Sequence, residues 1–190
     1  MPSIDQLGED VKQEISQLIG HRLALAPIAD LNKRQKLCLG ESIAVTELRR
    51  HAVDDEFTSP VFRGRWMNLL KANTRYIGYS LSTPIGPKET DWMVDCVVKA
   101  KLAAEISKSL QWIHKKVEGD GVIRLLSVPD YHLHALTITL DNDIRIVVVN
   151  IPATVKNLRK HLVYSLKDFL DELIKHPIIQ GVKFKPINKS

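Results

Sequence analysis

Cysteine is scarce in this chain. Its 190 residues include only two, Cys38 and Cys96, and neither belongs to a Cys-x-x-Cys pair or to a Cys/His spacing typical of metal ligands. This scarcity excludes a disulfide scaffold. We expect two reduced thiols buried in the core, which favours a cytoplasmic location.

Long apolar runs are also missing. The longest stretch without a charged residue is 76–87, and it is interrupted by Ser, Thr, Gly and Pro. Such a stretch is too short and too polar to cross a bilayer. The first ten residues are acidic where a signal peptide is basic, so we expect neither a membrane partner nor secretion.

Glycine-rich phosphate-binding motifs do not occur in the sequence, which excludes the common nucleotide-binding loops. The segment from Gly78 to Ser82 approaches a nucleophile elbow, but it ends in serine where that motif has glycine. No group of residues in the sequence stands out as a catalytic constellation. We therefore expect no cofactor and no metal.

The overall composition is that of a globular protein, with 44% hydrophobic and 26% charged residues. A chain of 190 residues can bury about 70% of its unfolded surface without disulfides or metals. We predict a single domain over residues 1–190, with a helical portion over 1–118 and a sheet portion over 119–190.

The N-terminal portion carries apolar residues at the spacing of helices. Ser3, with a glutamine three positions later, forms a capping-box pattern that predicts an amphipathic helix from about residue 4. A second helix is predicted from Ser42 onward, and a third after Ser59-Pro60, where serine is an N-cap and proline the first helical residue.

A stretch rich in proline and glycine, residues 80–88, predicts a hinge. Beyond it, helical spacing continues from Glu89 to Val117 and predicts one long helix. Its residues Ile106, Leu110 and Ile113 are expected to be buried. We expect this helix to be the spine that packs on the C-terminal sheet.

After residue 119 the apolar pattern changes to the period of two that is typical of strands. Three strands are predicted, Val122–Val128, His132–Leu140 and Ile144–Ile151, followed by a helix capped by Ser165 and a short strand at 182–184. The expected fold class is α+β: a mostly helical N-terminal half, with one long spine helix, packed on a C-terminal antiparallel sheet of order β-β-β-α-β.

The register of the second and third predicted strands follows from matching their apolar faces. The predicted pairs are Leu140 with Ile144, Ile138 with Ile146, and Leu136 with Val148. This register leaves residues 141–143 in the loop and places His134 opposite Asn150.

Positive charge is concentrated in residues 57–88, which hold five basic and no acidic residues, and their excess equals the whole net charge of +5. Arg63, Arg65, Lys71 and Arg75 are candidates for an anion or nucleic-acid surface, since guanidinium groups pair with phosphate. The alternatives are a solvated face and a protein-docking surface.

Two histidines, His132 and His134, lie two positions apart on a predicted strand and would share one face with Asn150. Such a pair is compatible with a metal site, with acid/base or phosphate chemistry, or with a structural role bonded to the backbone. Because the spacing provides no third ligand, the structural role is favoured.

The sequence as a whole favours a small cytoplasmic, non-enzymatic binding module that contacts a protein partner or a second copy of itself. One alternative is a nucleic-acid-binding accessory protein that uses the basic segment. Another is a hydrolase or metal enzyme centred on His132 and His134.

Overall fold

A computed structural model describes residues 1–25, 37–50, 56–86, 91–141 and 143–178. Within these ranges the elements in chain order are β1 (Ser3–Ile4), α1 (Glu9–Leu25), β2 (Leu37–Glu47), β3 (Val61–Ala72), β4 (Arg75–Pro84), β5 (Trp92–Lys99), α2 (Leu102–Lys116), β6 (Val122–Val128), β7 (Leu133–Leu140), β8 (Asp143–Asn150), β9 (Val163–Ser165) and α3 (Leu166–Ile174).

The strands form one sheet in the order β5-β4-β3-β2-β6-β7-β8-β9, with β1 also paired to β6. Two antiparallel meanders, β2 to β5 and β6 to β9, are each followed by a helix. They join at the centre, where β2 and β6 run parallel. The expectation of a mostly helical N-terminal half is therefore wrong.

The predicted N-terminal helix exists but begins later than expected. Ser3 and Ile4 are not helical; they extend the sheet by pairing in parallel with Val122 and Ile123 of β6. The helix α1 begins at Glu9 and packs beside the edge strand β5. The capping-box pattern at Ser3 thus gave the wrong helix start.

The second and third predicted helices are strands β2 and β3. In β3 the four consecutive residues from Met67 to Leu70 are all buried, because helices cover both faces of the sheet. A strand buried on both faces loses the alternation of apolar and polar residues, so its sequence cannot be distinguished from a helix by periodicity.

The long helix from Glu89 to Val117 is also a wrong prediction. Its first part is the edge strand β5, and only the second part, α2, is helical. Ile106, Leu110 and Ile113 of α2 are buried, as expected. The apolar residues of β5 and those of α2 together keep the spacing of a helix. The sequence therefore shows one continuous helical pattern across both elements.

The core has two layers, one on each face of the sheet. On the first face α2 packs against the centre of the sheet, including Ile43, Met67 and Leu125. The opposite face carries α1 over the β5 end and α3 over the β9 end. The described residues thus form one continuous sheet with helices on both faces, and the single domain over residues 1–190 stays a prediction.

The predicted C-terminal meander of β6, β7 and β8 is confirmed, but the register between β7 and β8 is wrong by one residue. The observed partners are Leu140 with Asp143, Ile138 with Arg145, and Leu136 with Val147. Ile146 and Val148 instead pack on the opposite face, with α3. Because both faces are apolar, matching one apolar face to another did not determine the register.

The last helix is confirmed. The Ser165 hydroxyl accepts a hydrogen bond from the Asp168 backbone N–H at 3.0 Å, as an N-cap does. Of the predicted hinge at 80–88, residues 80–84 complete β4, and residues 87 and 88 lie outside the described ranges, as does the predicted strand at 182–184. None of the helices in the described ranges has the length and apolar composition that a membrane span requires.

Candidate functional site

The basic segment forms the β3–β4 hairpin rather than a helix. Arg63 and Arg65 lie near the start of β3, whereas Lys71 lies near its end and Arg75 opens β4. At the rise of an extended strand, Arg63 and Lys71 are separated by roughly 25 Å. The four candidate residues therefore form two separate pairs and not one continuous basic cluster.

The pair near the hairpin tip is partly neutralised by a neighbouring strand. The Lys71 ammonium lies 3.8 Å from a Glu41 carboxylate oxygen on β2 and 4.5 Å from the centre of the Tyr76 ring. The Tyr76 hydroxyl donates to Glu41. The hydrogen bond to Tyr76 raises the pKa of Lys71. Lys71 is thus held inside a local polar cluster, and Arg75 beside it is exposed.

The other pair, Arg63 and Arg65, lies near carboxylates that belong to residues outside the basic segment. Arg65 lies 3.8 Å from Glu47 on β2 and 3.8 Å from Asp95 on β5. Arg49 contacts the second oxygen of Glu47 at 3.3 Å. Arg49, Arg63 and Arg65 together line a recess of about 290 Å³. Arg49 lies outside the basic segment and was not among the residues predicted from the sequence.

His134 lies opposite Asn150, as predicted, although the pairing arises through a bulge between His134 and Ala135. The Asn150 side-chain oxygen accepts from the His134 backbone N–H at 2.6 Å and lies 3.1 Å from the His134 Nδ1. The Asn150 amide donates to the His132 carbonyl at 3.0 Å. Asn150 thereby connects the two strand ends, which is the arrangement expected of a structural role.

His132 is not part of β7. It ends a short 3₁₀ turn over Pro129–Tyr131 with a left-handed backbone, φ 50°, and its side chain is exposed. The alternation of strand faces does not extend to it, so the prediction that both histidines lie on one strand is wrong. Burial lowers the pKa of His134, the hydrogen bond from its ring to the Asn150 oxygen opposes this shift, and the charge of His132 adds to it.

Asp130, expected near the histidines, is engaged elsewhere: its carboxylate accepts from the Arg50 backbone N–H at 2.9 Å. Across the described ranges, no three His, Cys, Asp or Glu side chains come together as a group that could hold a metal ion.

An apolar groove lies between α3 and Phe57. It has a volume of about 800 Å³ and is lined by Leu166, Leu170 and Ile174, which follow each other at intervals of four residues. Phe169 and Leu173 of the same helix face the core and are fully buried. The helix α3 therefore has two apolar stripes, one packed inward and one toward the groove. We call the groove-lining stripe together with Phe57 the α3 surface.

Further exposed apolar side chains lie at the β9 end of the sheet. Leu162, just before β9, and Val163, its first residue, are 47% and 43% exposed, and Ile174 of α3 is 45% exposed. The strand β9 is the end of the sheet in the described part of the chain. Val163 pairs with Val147, which packs on the face that carries α2, so it lies on the opposite face of the sheet from α3. Exposed apolar side chains and open sheet edges are both typical of interaction sites.

Two features of these surfaces, the bulge at Gly64 and the wide apolar face of α3, could have been recognised in the sequence. Gly64 between Arg63 and Arg65 is an isolated glycine in what is in fact a strand, a pattern that indicates a bulge. The apolar residues of α3 cover more of the helix than one core-facing stripe requires. The roles of Glu47, Arg49 and Phe57 had no such signal, since these residues reach their sites through long-range contacts.

The chain matches no protein-family model, and the searches of curated proteins and of solved structures found no match either.

Proposed function

We propose that this protein is a non-enzymatic interaction module that binds a second copy of itself through the α3 surface. The observation that supports this proposal is the apolar stripe of Leu166, Leu170 and Ile174, which forms one wall of a groove of about 800 Å³. Ile174 is exposed, and the two leucines are half-buried. The helix α3 already packs on the core through its other stripe. Its groove-lining stripe is therefore available as a binding surface.

The pattern of charges favours a second copy as the occupant. Lys167 and Asp171 lie one helical turn apart on the same flank of the stripe. If two α3 helices pack antiparallel about a twofold axis, this flank meets the same flank of the other copy in reverse order, and each lysine faces an aspartate. The stripe and its flank are therefore complementary to themselves.

The open edge of β9 supports the same arrangement. Val163, Tyr164 and Ser165 pair with β8 on one side only, within the described residues. A twofold axis beside this edge would bring β9 antiparallel to its copy while the two α3 surfaces meet. Backbone hydrogen bonds would then accompany the burial of apolar side chains.

We further propose a cytoplasmic location. Both cysteines are free; Cys38 is exposed and Cys96 is partly buried, which corrects the expectation that both are core thiols. An exposed free thiol persists in a reducing compartment.

The test is the molar mass in solution, measured by light scattering coupled to size exclusion over a range of concentrations. We expect the wild-type chain to be a dimer and Ile174→Glu to be a monomer, because a carboxylate would be buried in the contact. The matched control is Ile85→Glu, since Ile85 is also an exposed isoleucine, at 63%, but lies at the far end of β4.

A wild-type chain that stays monomeric at high concentration contradicts the proposal and points to a different protein as the occupant. The same conclusion follows if Ile85→Glu dissociates the dimer as strongly as Ile174→Glu does. Circular dichroism of both variants checks that each remains folded.

A further inference from the structure

The recess lined by Arg49, Arg63 and Arg65 lies on the sheet face that carries α2, at the end of three adjacent strands. Val45 of β2, Val61 of β3 and Thr83 of β4 also line it. The recess is distant in the strand order from the α3 surface, which lies at the β9 end. It is therefore a second, independent candidate site.

The position of the two hairpin arginines results from an irregularity in the sheet. Between the pairs Ala44–Trp66 and Thr46–Phe62, the single residue Val45 stands opposite the three residues 63–65. Gly64, in the middle of this bulge, has φ +74°, a left-handed conformation that favours glycine. Bulges redirect side chains and are frequent beside functional sites.

A second bulge fixes the orientation of Arg65. Asp95 has no partner on β4, because the pairing passes from Leu81–Cys96 directly to Ser82–Val94. Its carboxylate accepts from the Thr83 hydroxyl at 3.1 Å and lies 3.8 Å from Arg65. Two neighbouring bulges therefore shape the recess.

Glu47 holds two of the three guanidinium groups without neutralising the recess. It contacts Arg49 with one carboxylate oxygen and Arg65 with the other. Arg63 is exposed and has no ion pair or hydrogen bond to any residue in the described ranges. Three arginines against Glu47 and Asp95 leave a net charge of +1, with the guanidinium of Arg63 available.

We propose that this recess binds the phosphate group of a small phosphorylated molecule. Guanidinium groups recognise phosphate oxygens through paired N–H donors, and three of them around one recess suit a group with several acceptor oxygens. A volume of about 290 Å³ admits a phosphate with a small substituent. The roughly 25 Å between Arg63 and Lys71 provides no continuous track for a nucleic-acid backbone.

The experiment is calorimetric titration of the full chain with inorganic phosphate, glycerol phosphate and acetate at low salt. We expect saturable binding of one inorganic phosphate or one glycerol phosphate per chain, and acetate binding at least tenfold weaker. Arg63→Gln should weaken phosphate binding at least tenfold. Arg75→Gln, an exposed arginine on the same hairpin, is the matched control and should leave the affinity unchanged.

The absence of saturable phosphate binding by the wild-type chain would overturn the proposal. Equal losses in Arg63→Gln and Arg75→Gln would overturn it too, since diffuse charge attraction would then explain the binding. A single-stranded oligonucleotide that binds more tightly than phosphate, and is weakened equally by Arg63→Gln and Lys71→Gln, would assign the hairpin to nucleic acid instead. Unchanged melting temperatures of the variants separate these results from unfolding.

Discussion

Asn150 connects the ends of β7 and β8, and the imidazole of His134 beside it makes the stability of the fold depend on pH. Asn150 accepts from the His134 backbone N–H, lies within hydrogen-bond distance of its ring, and donates to the His132 carbonyl. Burial lowers the pKa of His134 below its ordinary value of 6.5. In acid the unfolded chain therefore binds a proton more readily than the folded one does.

We predict that the free energy of unfolding falls as the pH drops below about 6.5, because protonation of His134 then favours the unfolded chain. His134→Ala should reduce this dependence and cost about 1–3 kcal/mol near neutral pH, because the partly buried ring and its contact with the Asn150 oxygen are lost, although the backbone N–H of residue 134 still donates to that oxygen. Urea melts between pH 5 and pH 8 provide the measurement.

His114→Gln, at an exposed position of α2, is the control and should keep the wild-type pH dependence. A His134→Ala variant with wild-type stability at neutral pH would show that the ring of His134 and its contact with Asn150 do not stabilise the fold. Zinc that remains bound through purification, with a melting temperature that falls on addition of a chelator, would support the metal-enzyme alternative instead.

At the scale of elements, two glycines have opposite requirements. Gly78 lies in β4, where a Cβ would overlap the backbone carbonyl oxygen of Val98 on β5. Gly20 lies in α1, where nothing surrounds the position of a Cβ within 4 Å. The close approach of β4 to β5 therefore depends on the absence of a side chain at residue 78, whereas the helix does not need its glycine.

We predict that Gly78→Ala destabilises the protein by about 1–3 kcal/mol, since the strand backbones must move apart. Gly20→Ala should stabilise it by about 0.5–1 kcal/mol, since alanine is the better helix former. Urea melts of the two variants make a matched pair. A Gly78→Ala variant as stable as wild type would contradict the β4–β5 pairing.

At the scale of the whole molecule, the two ends of the sheet differ in protection. At the β5 end, Arg22 of α1 donates to the backbone carbonyl of Val94 on the edge strand at 2.9 Å, whereas at the β9 end the strand lies beside the α3 surface. Edge strands can pair with other chains when nothing covers them. This asymmetry leads us to expect association at the β9 end alone.

If the chain dimerises there, its melting temperature should rise with protein concentration, because association stabilises the folded state by mass action. Scanning calorimetry over about a hundredfold range of concentration would measure the rise. We expect Ile174→Glu to melt at one temperature throughout the range. A wild-type melting temperature that is independent of concentration would contradict association at the α3 surface.

Local signals in the sequence were sufficient where each element is defined by its own residues. Ser165 caps α3 as predicted, and the turn residues around positions 129 and 141 separate strands that the period of two identified. The buried positions of α2 were also correct, since a helix covered on one side retains its periodicity. His134 and Asn150 lie opposite each other as predicted only because the register shifts by one residue, at a bulge, between this pair and the rest of β7 and β8.

Only the tertiary structure decided the rest. Helices on both faces of the sheet removed the polar positions that distinguish a strand from a helix, so β2, β3 and β5 were predicted as helical and the β7–β8 register was wrong by one residue. The basic segment meets Glu41, Glu47 and Asp95 only through strand pairing. The sequence by itself therefore determined composition, the C-terminal meander and the capped α3, because their signals are local. Pairing across the sheet decided the fold class and both candidate sites, because it joins residues far apart in the chain.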